Sequence, residues 1–284
     1  MLYILIPAYN RWEYTSKCLI ALRNQKYKLF RTIVIDDGST DETNSKLRTD
    51  FPEVILIQGN GNLWWTRSIN LGVEMALKQC DASAVLTLNN DTIPEPDFIA
   101  QMINASKNKP DAILGAFEID EQKKPIFGGG YINWKRARTV HLLDFLDRSD
   151  LHGLQRVNYF PGRGLYIPIN IFRIIGLFDD KNFPQYAADY DFTHRAIRAG
   201  FEIFCNYDAK LVCFPKESGD FSQRANKSLC NYFNHLFGIK GGGNLIIFTR
   251  YAFRNCPKKY LPYFYINGII RRIFGYLYDW IFKK

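Results

Sequence analysis

The sequence predicts an α/β fold: a mostly parallel sheet with helices on both faces, followed by a basic, amphipathic helical tail. Three observations predict it. Over the first 120 residues, short apolar runs alternate with amphipathic stretches joined by short links, the pattern of strand–helix–strand units. Polar clusters follow several of those runs directly. Charge and aromatic content change abruptly near residue 223.

Leu2–Ile6 is a continuous apolar run, as expected of a strand buried on both faces. Asn10 and Glu13 have the spacing of a capping box, and Cys18, Leu19 and Leu22 repeat at helical spacing. Thr32–Ile35 reads as the second strand, Val54–Ile57 as the third and Ala84–Leu88 as the fourth. Between the last two, Thr66 is placed to cap a helix with Ile69, Val73, Ala76 and Leu77 on one face. Pro94 and Pro96 open a helix to about Lys107, and Ala112–Ile119 is the fifth strand. Gly128–Gly130 reads as a loop or hairpin. A second, mixed α/β half covers 157–222, with a helix over Asp189–Ala199, a stop at Gly200 and a strand over Phe201–Cys205.

The 284 residues are 47% hydrophobic and 15% aromatic, which excludes a disordered chain. The N-terminus lacks a basic leader and reads as a strand rather than a signal peptide. No run reaches the ~18 apolar residues of a membrane span. The six cysteines and four histidines show no metal-finger or HExxH spacing, so the cysteines read as reduced and packed in a cytoplasmic protein. The formal charge is +9. From Gln223 to Lys284 there are eleven basic residues and one acid, Asp279; the preceding 222 residues hold 26 basic and 27 acidic groups. The positive charge belongs to the tail.

In parallel sheets, ligands bind beyond the carboxyl ends of the strands. Ala8-Tyr9-Asn10-Arg11, Asp36-Asp37 and Asn89-Asn90-Asp91 fall there and would converge on one rim. Carboxylates at Asp36 and Asp37 suit base N–H groups or ribose hydroxyls; Asp91 suits Mg²⁺ or Mn²⁺ gripping a diphosphate. Asp189 and Asp191 stand at a helix start, where a general base is one reading and a cap the other. Residues i and i+2 do not share a helix face, so these two acids have different jobs. Taken singly, each cluster is also explained as a polar turn.

In this order and spacing, the motifs resemble the inverting GT-A glycosyltransferases of family 2. The residues that carry the resemblance are Pro7-Ala8-Tyr9-Asn10, Val34-Ile35-Asp36-Asp37-Gly38-Ser39-Thr40-Asp41, Asn70 with Gly72, Leu88-Asn89-Asn90-Asp91-Thr92, and Ala188-Asp189-Tyr190-Asp191 with Arg195. They span residues 1–215. Gly61-Asn62-Leu63-Trp64-Trp65-Thr66 and Phe160-Pro161-Gly162-Arg163-Gly164 resemble the bacterial surface-polysaccharide, rhamnosyltransferase-like branch.

The resemblance implies a GT-A fold with a Rossmann-like sheet. Its catalytic domain would cover 1–222, divided into a nucleotide-sugar half (1–120) and an acceptor and base half (121–222). It implies Asp189 as catalytic base, Asp91 as metal ligand, and Pro7, Ala8, Tyr9, Arg11, Asp36, Asp37, Arg67 and Asn90 around the donor nucleotide. Trp64, Trp65, Gly162, Arg163 and Asp191 would meet the donor sugar or acceptor. The activity implied is transfer of a sugar from a UDP- or dTDP-sugar to a glycan acceptor, with inversion, assisted by Mg²⁺ or Mn²⁺. Amides at Asn89 and Asn90 stand where the family's metal motif commonly has an acid. Neutral oxygens ligate more weakly, so the donor diphosphate would supply more of the coordination. Ala188 replaces an acid often found beside the base.

Residues 223–284 read as a basic aromatic tail. In its last stretch, 268–284, Ile269, Ile270, Ile273, Phe274, Leu277, Trp280 and Ile281 fall on one helical face, with Arg271, Arg272, Gly275 and Asp279 opposite. That is the composition of a helix lying on an anionic membrane; packing on the body or a homodimer interface is the other reading. A lipid-linked acceptor would explain the surface and places the protein on the inner face of the plasma membrane. The competing functions are a nucleotidyltransferase and a nucleic-acid-binding protein. The first lacks its glycine- and base-rich loop after strand one. Against the second, the body has no basic stripe, so no nucleic-acid partner is expected.

Overall fold

The computed structural model describes residues 1–147, 150–214 and 227–282. The expected boundary at 222/223, and the tail cations Arg224, Lys283 and Lys284, lie outside the described residues. Twelve strands are described: β1 (Leu2–Ala8), β2 (Phe30–Asp36), β3 (Ile55–Gln58), β4 (Ala84–Thr87), β5 (Thr92–Pro94), β6 (Ile113–Ile119), β7 (Pro125–Phe127), β8 (Gly130–Asn133), β9 (Arg138–His141), β10 (Leu154–Arg156), β11 (Leu165–Pro168) and β12 (Ile203–Cys213). The helices are α1 (Trp12–Arg23), α2 (Thr43–Asp50), α3 (Trp64–Leu77), α4 (Phe98–Asn108), α5 (Ile169–Ile175), α6 (Ala188–Arg198), α7 (Leu229–Phe237), α8 (Leu245–Asn255) and α9 (Leu261–Phe282).

The main sheet runs β10-β12-β6-β11-β4-β1-β2-β3, with β5 on β12 and β7 on β6. The block β4-β1-β2-β3 is wholly parallel, and so is the β6–β12 pair. Strand β11 enters antiparallel between β4 and β6, so both halves of the body share one sheet. Alternation along β1 explains why its run is apolar throughout. Tyr3 and Leu5 enter the core on one face, Leu2, Ile4 and Ile6 the core on the other. Gly72 lets α3 lie close on β1, since a Cβ there would stand 2.7 Å from a Leu5 methyl. Asn70 is buried and exchanges two hydrogen bonds with the Phe178 backbone, at 2.9 and 3.1 Å.

Two expected caps are replaced. The Asn10–Glu13 box does not form: Arg11, at φ 65°, holds the N-cap position of α1 without a side-chain cap. The Asn10 side-chain Oδ1 instead accepts from the Thr40 amide at 2.8 Å and ties the loop after β1 to that after β2. Helix α3 begins at Trp64, so Thr66 is internal to it; its hydroxyl donates to the Phe183 carbonyl at 2.6 Å. Pro94 closes the short strand β5, and α4 starts only at Phe98.

The tail helix is longer than expected and differently oriented. Helix α9 starts at Leu261 and buries Phe264 and Tyr276. Arg271 and Arg272, expected to face lipid headgroups, turn to the body instead. Arg271 donates to the Ala137 carbonyl at 2.6 Å, and Arg272 lies 3.7 Å over the Phe248 ring. The outward stripe is apolar: Tyr263, Ile266, Ile270, Phe274, Tyr278 and Ile281 are exposed. The packing reason is area. Stacking a guanidinium on a ring covers both groups, and Gly268 permits it by bringing α9 against Phe248, where a Cβ would collide.

Candidate active site

The carboxyl ends of β1, β2 and β4 bring the predicted clusters to one rim. The Asp37 amide donates to the Ala8 carbonyl at 2.8 Å, joining the first two. Asp36 is fully buried and builds the rim rather than lining it: its carboxylate accepts from the Ser39 amide at 3.0 Å and the Asn44 side chain at 2.9 Å. Asp37 accepts from the amides of Gly61, Leu63 and Trp64 at 2.9, 2.9 and 3.1 Å. Those bonds pull in the turn that places Trp64 at φ 58°. Pro7 is half-buried and Ala8 buried at the end of β1, and beside them Tyr9, 48% exposed, offers its ring to the open face.

Past β4, Asp91 faces Arg11 at 3.3 Å, and burial pushes its carboxyl up against the pull of Arg11 and Arg163. Asn89 is engaged by the Trp65 indole N–H at 3.0 Å, and Asn90 donates to the Thr15 hydroxyl at 3.0 Å. Among the described residues no three His, Cys, Asp or Glu side chains converge on a cation position. One buried carboxylate beside an amide suits a cation shared with a diphosphate, not one held by the protein alone. His194 is buried against the Tyr251 hydroxyl at 2.8 Å. Burial, then Arg198, pushes its imidazole down to about 3, so it stays neutral.

Asp189 opens α6. Its Oδ2 accepts from the Gly162 amide at 2.8 Å and its Oδ1 from the Tyr190 amide at 2.9 Å. Burial raises its carboxyl, and these amides and Arg163 act in the opposite direction. Gly162 is itself clamped. The Thr87 hydroxyl donates to its carbonyl, and the Trp65 ring packs where a Cβ would stand, 2.3 Å from that position. Trp65 thus spans the Asn89 end of β4 and the loop whose Gly162 amide holds Asp189. Trp64 turns elsewhere, with Lys240 5.6 Å from its ring centroid.

Arg163 stands between the rim and a cavity of about 530 Å³. Its guanidinium is 2.6 Å from the fully buried Glu118, which keeps it charged. Asp189, Tyr190, Tyr159 and Arg163 line the cavity from the sheet side, and residues of α8 and α9 from the other. None of Tyr9, Asp37 and Asp91 lines it, so rim and cavity are two compartments meeting near Arg163 and Asp189.

The Glycosyl transferase family 2 profile matches residues 3–164, more than half of the chain. The chain belongs to glycosyl transferase family 2. Within it, the chain is 26% identical over 215 residues to an uncharacterized glycosyltransferase of Haemophilus influenzae, covering 74% of this chain and 63% of that protein. It is 30% identical over 116 residues to the uncharacterized glycosyltransferase YfnE of Bacillus subtilis, covering 39% and 28%. The chain thus spans less than two thirds of these relatives. Among solved structures, it superposes on TarS of S. aureus with a TM-score of 0.55 at 13% identity, covering 89% of this chain and 43% of that one. It also superposes on GalNAc-T7, solved with UDP, GalNAc and Mn²⁺, with a TM-score of 0.62 at 11% identity, covering 98% and 57%. The fold is that of the GT-A glycosyltransferases.

Besides Asp36 and Trp64, the expected site residues Asp191 and Arg67 also lie away from the cavity. Asp191 is fully buried and turned from the cavity. It meets Arg195 at 3.0 Å, Arg254 at 3.4 Å and Asn255 at 3.0 Å, tying α6 to α8, because position i+2 leaves the Asp189 face. Arg67 pairs with Glu74 at 2.6 Å and lies 3.8 Å from Asp180, on the outer side of α3. Sequence reasoning missed Glu118, although it is the one charged residue of an otherwise apolar strand. It also missed that α8 and α9 wall the cavity, which no local pattern signals.

Proposed function

We propose that the protein transfers a sugar, with inversion, from a UDP- or dTDP-sugar to a hydroxyl of a lipid-linked glycan, in bacterial surface-polysaccharide assembly. One observation carries this reading. The Asp189 carboxylate is held by two backbone amides at the wall of a cavity, beside the rim that carries Asp91.

The donor lies on the rim, with its base near Ala8, Tyr9 and Asp37 and its diphosphate near Asp91, Arg11 and Arg163. Asp189 removes the proton of the acceptor hydroxyl as that oxygen bonds to the anomeric carbon. The bond from that carbon to the diphosphate oxygen breaks, and its electron pair leaves with the nucleoside diphosphate. Arg163, fixed by Glu118, keeps positive charge beside the departing group. Mg²⁺ or Mn²⁺, held by Asp91 with Asn90 nearby, would supply further charge neutralisation there.

The exposed apolar stripe of α9 supports contact with a membrane, and with it a place on the inner face of the plasma membrane. No helix of the described residues is long and apolar enough to cross a bilayer. The test is a thermal-shift screen of nucleotide sugars with Mg²⁺ or Mn²⁺, followed by transfer assays on Asp189→Asn. A stabilising donor is expected, with binding kept and transfer lowered about 10²–10⁴-fold in the variant. Full turnover by Asp189→Asn would reject the base.

A further inference from the structure

The wall of the cavity opposite Asp189 carries positive charge without a counter-charge. Arg138, Arg271 and Arg272 line it together with Phe248, Tyr251 and Gly268. None of the three arginines has a carboxylate within ion-pair distance among the described residues. Arg272 is the most telling. Its Nε is buried and has no hydrogen-bond partner, and Nη1 reaches only the Gly268 carbonyl of its own helix, at 3.2 Å. Burial pushes its guanidinium down to about 10, the direction expected of a desolvated cation with no acid nearby. Arg163, on the same cavity, also has a buried Nε without a hydrogen-bond partner, although its guanidinium is paired with Glu118. Burying a guanidinium without a counter-charge costs stability; Arg272 bears that cost, and with the exposed Arg138 and Arg271 on the same cavity the site suits a ligand that brings the negative charge.

The remaining lining fits a saccharide. Tyr159 and Tyr190 stand edge to face, with ring centroids 5.1 Å apart. They offer apolar ring surface to a sugar. The volume, about 530 Å³, lies within the range of small-molecule sites.

We infer that this cavity is an acceptor subsite that recognises a saccharide carrying a phosphate group, the sugar against the aromatic wall near Asp189 and the phosphate against Arg138, Arg271 and Arg272. The inference rests on the transfer reading only for which side of Asp189 the acceptor approaches. Guanidinium is matched to phosphate by its forked donors. The apolar stripe of α9 continues from the same helix that supplies Arg271 and Arg272, so a lipid on that phosphate would leave the cavity toward an apolar surface.

The test is calorimetric titration of glucose 1-phosphate and of methyl glucoside into the full chain, with UDP and dTDP in excess to fill the rim. Glucose 1-phosphate is expected to bind, and methyl glucoside at least about tenfold more weakly. The double variant Arg138→Gln/Arg271→Gln is expected to weaken phosphate binding about tenfold. Arg272→Gln should remove it, but that arginine also packs on Phe248. The exposed pair therefore keeps the test decisive if Arg272→Gln unfolds. Three results would overturn the subsite: no binding of glucose 1-phosphate to the wild-type chain, equal binding of the methyl glucoside, or unchanged binding in the double variant. Asp189→Asn separates this from the transfer reading. It is expected to keep glucose 1-phosphate binding while losing transfer. Retained transfer beside a positive arginine result would reject only the base; lost transfer beside a failed arginine result would reject only the subsite.

Discussion

Gly162 donates its amide to Asp189 Oδ2 at 2.8 Å, and the Trp65 ring stands 2.3 Å from where a Cβ at 162 would be. A side chain at 162 therefore displaces either the indole or the amide that holds Asp189, the proposed base. Gly162→Ala is expected to lower kcat about 10²-fold while donor affinity, read by calorimetry, stays within about twofold. Trp65→Leu in the same chain should recover part of the loss by making room. A Gly162→Ala enzyme with normal kcat would show that this amide does not position Asp189.

Burial holds the Asp189 carboxyl above the ordinary carboxylate range, and a base acts only when ionised. Activity should therefore fall on acidification at a higher pH than the ~3.9 of an ordinary aspartate. The linkage has the opposite sign. A raised folded value means that the native state binds this proton more tightly. The group therefore favours folding at low pH, and that contribution is lost as pH rises through the folded value. A profile of kcat/KM against pH, with unfolding followed in parallel, should show activity falling while the fold persists.

Asp91 contributes one carboxylate to the rim, with amides at the two preceding positions. The apo protein is therefore expected to bind Mn²⁺ weakly, and the nucleotide–Mn²⁺ pair much more tightly. Asp91→Ala should abolish the metal-dependent part of donor binding. Calorimetry with and without Mn²⁺ checks this, and unchanged binding in the variant rejects the role.

Among the described residues, the outward stripe of α9 is left exposed. Replacing Ile270, Phe274 and Ile281 by Ser is expected to leave thermal unfolding within a few degrees and to release the protein from anionic liposomes in a flotation assay. Truncation at 268 is a poorer test, because it also uncovers Phe248 and opens the cavity. Undiminished flotation of the triple variant would disconnect this face from membranes.

Asp191 is a strut, not a ligand. Asp191→Ala takes the shared carboxylate from Arg195, Arg254 and Asn255, while Arg254 keeps Asp179 at 2.5 Å and Arg195 keeps the Ile175 and Leu177 carbonyls; the loss is expected at about 1–3 kcal/mol. Thermal unfolding should show this loss. The KM for the donor, measured well below that transition, is expected to change little.

The sequence alone determined that the first half is built of strands alternating with helices in a mostly parallel sheet, because each strand is a local apolar run followed by turn chemistry; the order β4-β1-β2-β3 came from the structure. It also determined that Ala8, Asp37, Asp91 and Asp189 lie at strand ends or helix starts, since chain order and local pattern suffice for that. Tertiary structure alone decided the rest. The antiparallel entry of β11 depends on contacts between distant segments. Asp36 and Asp191 are motif acids spent on the scaffold, and only neighbouring backbone and side chains reveal which carboxylates stay free for chemistry. The tail turned furthest from its local pattern. Its periodicity is amphipathic either way, but periodicity cannot say which face meets the body. Stacking Arg272 on Phe248 and burying Phe264 and Tyr276 decided that. Arg272 went inward to the cavity and an apolar stripe outward.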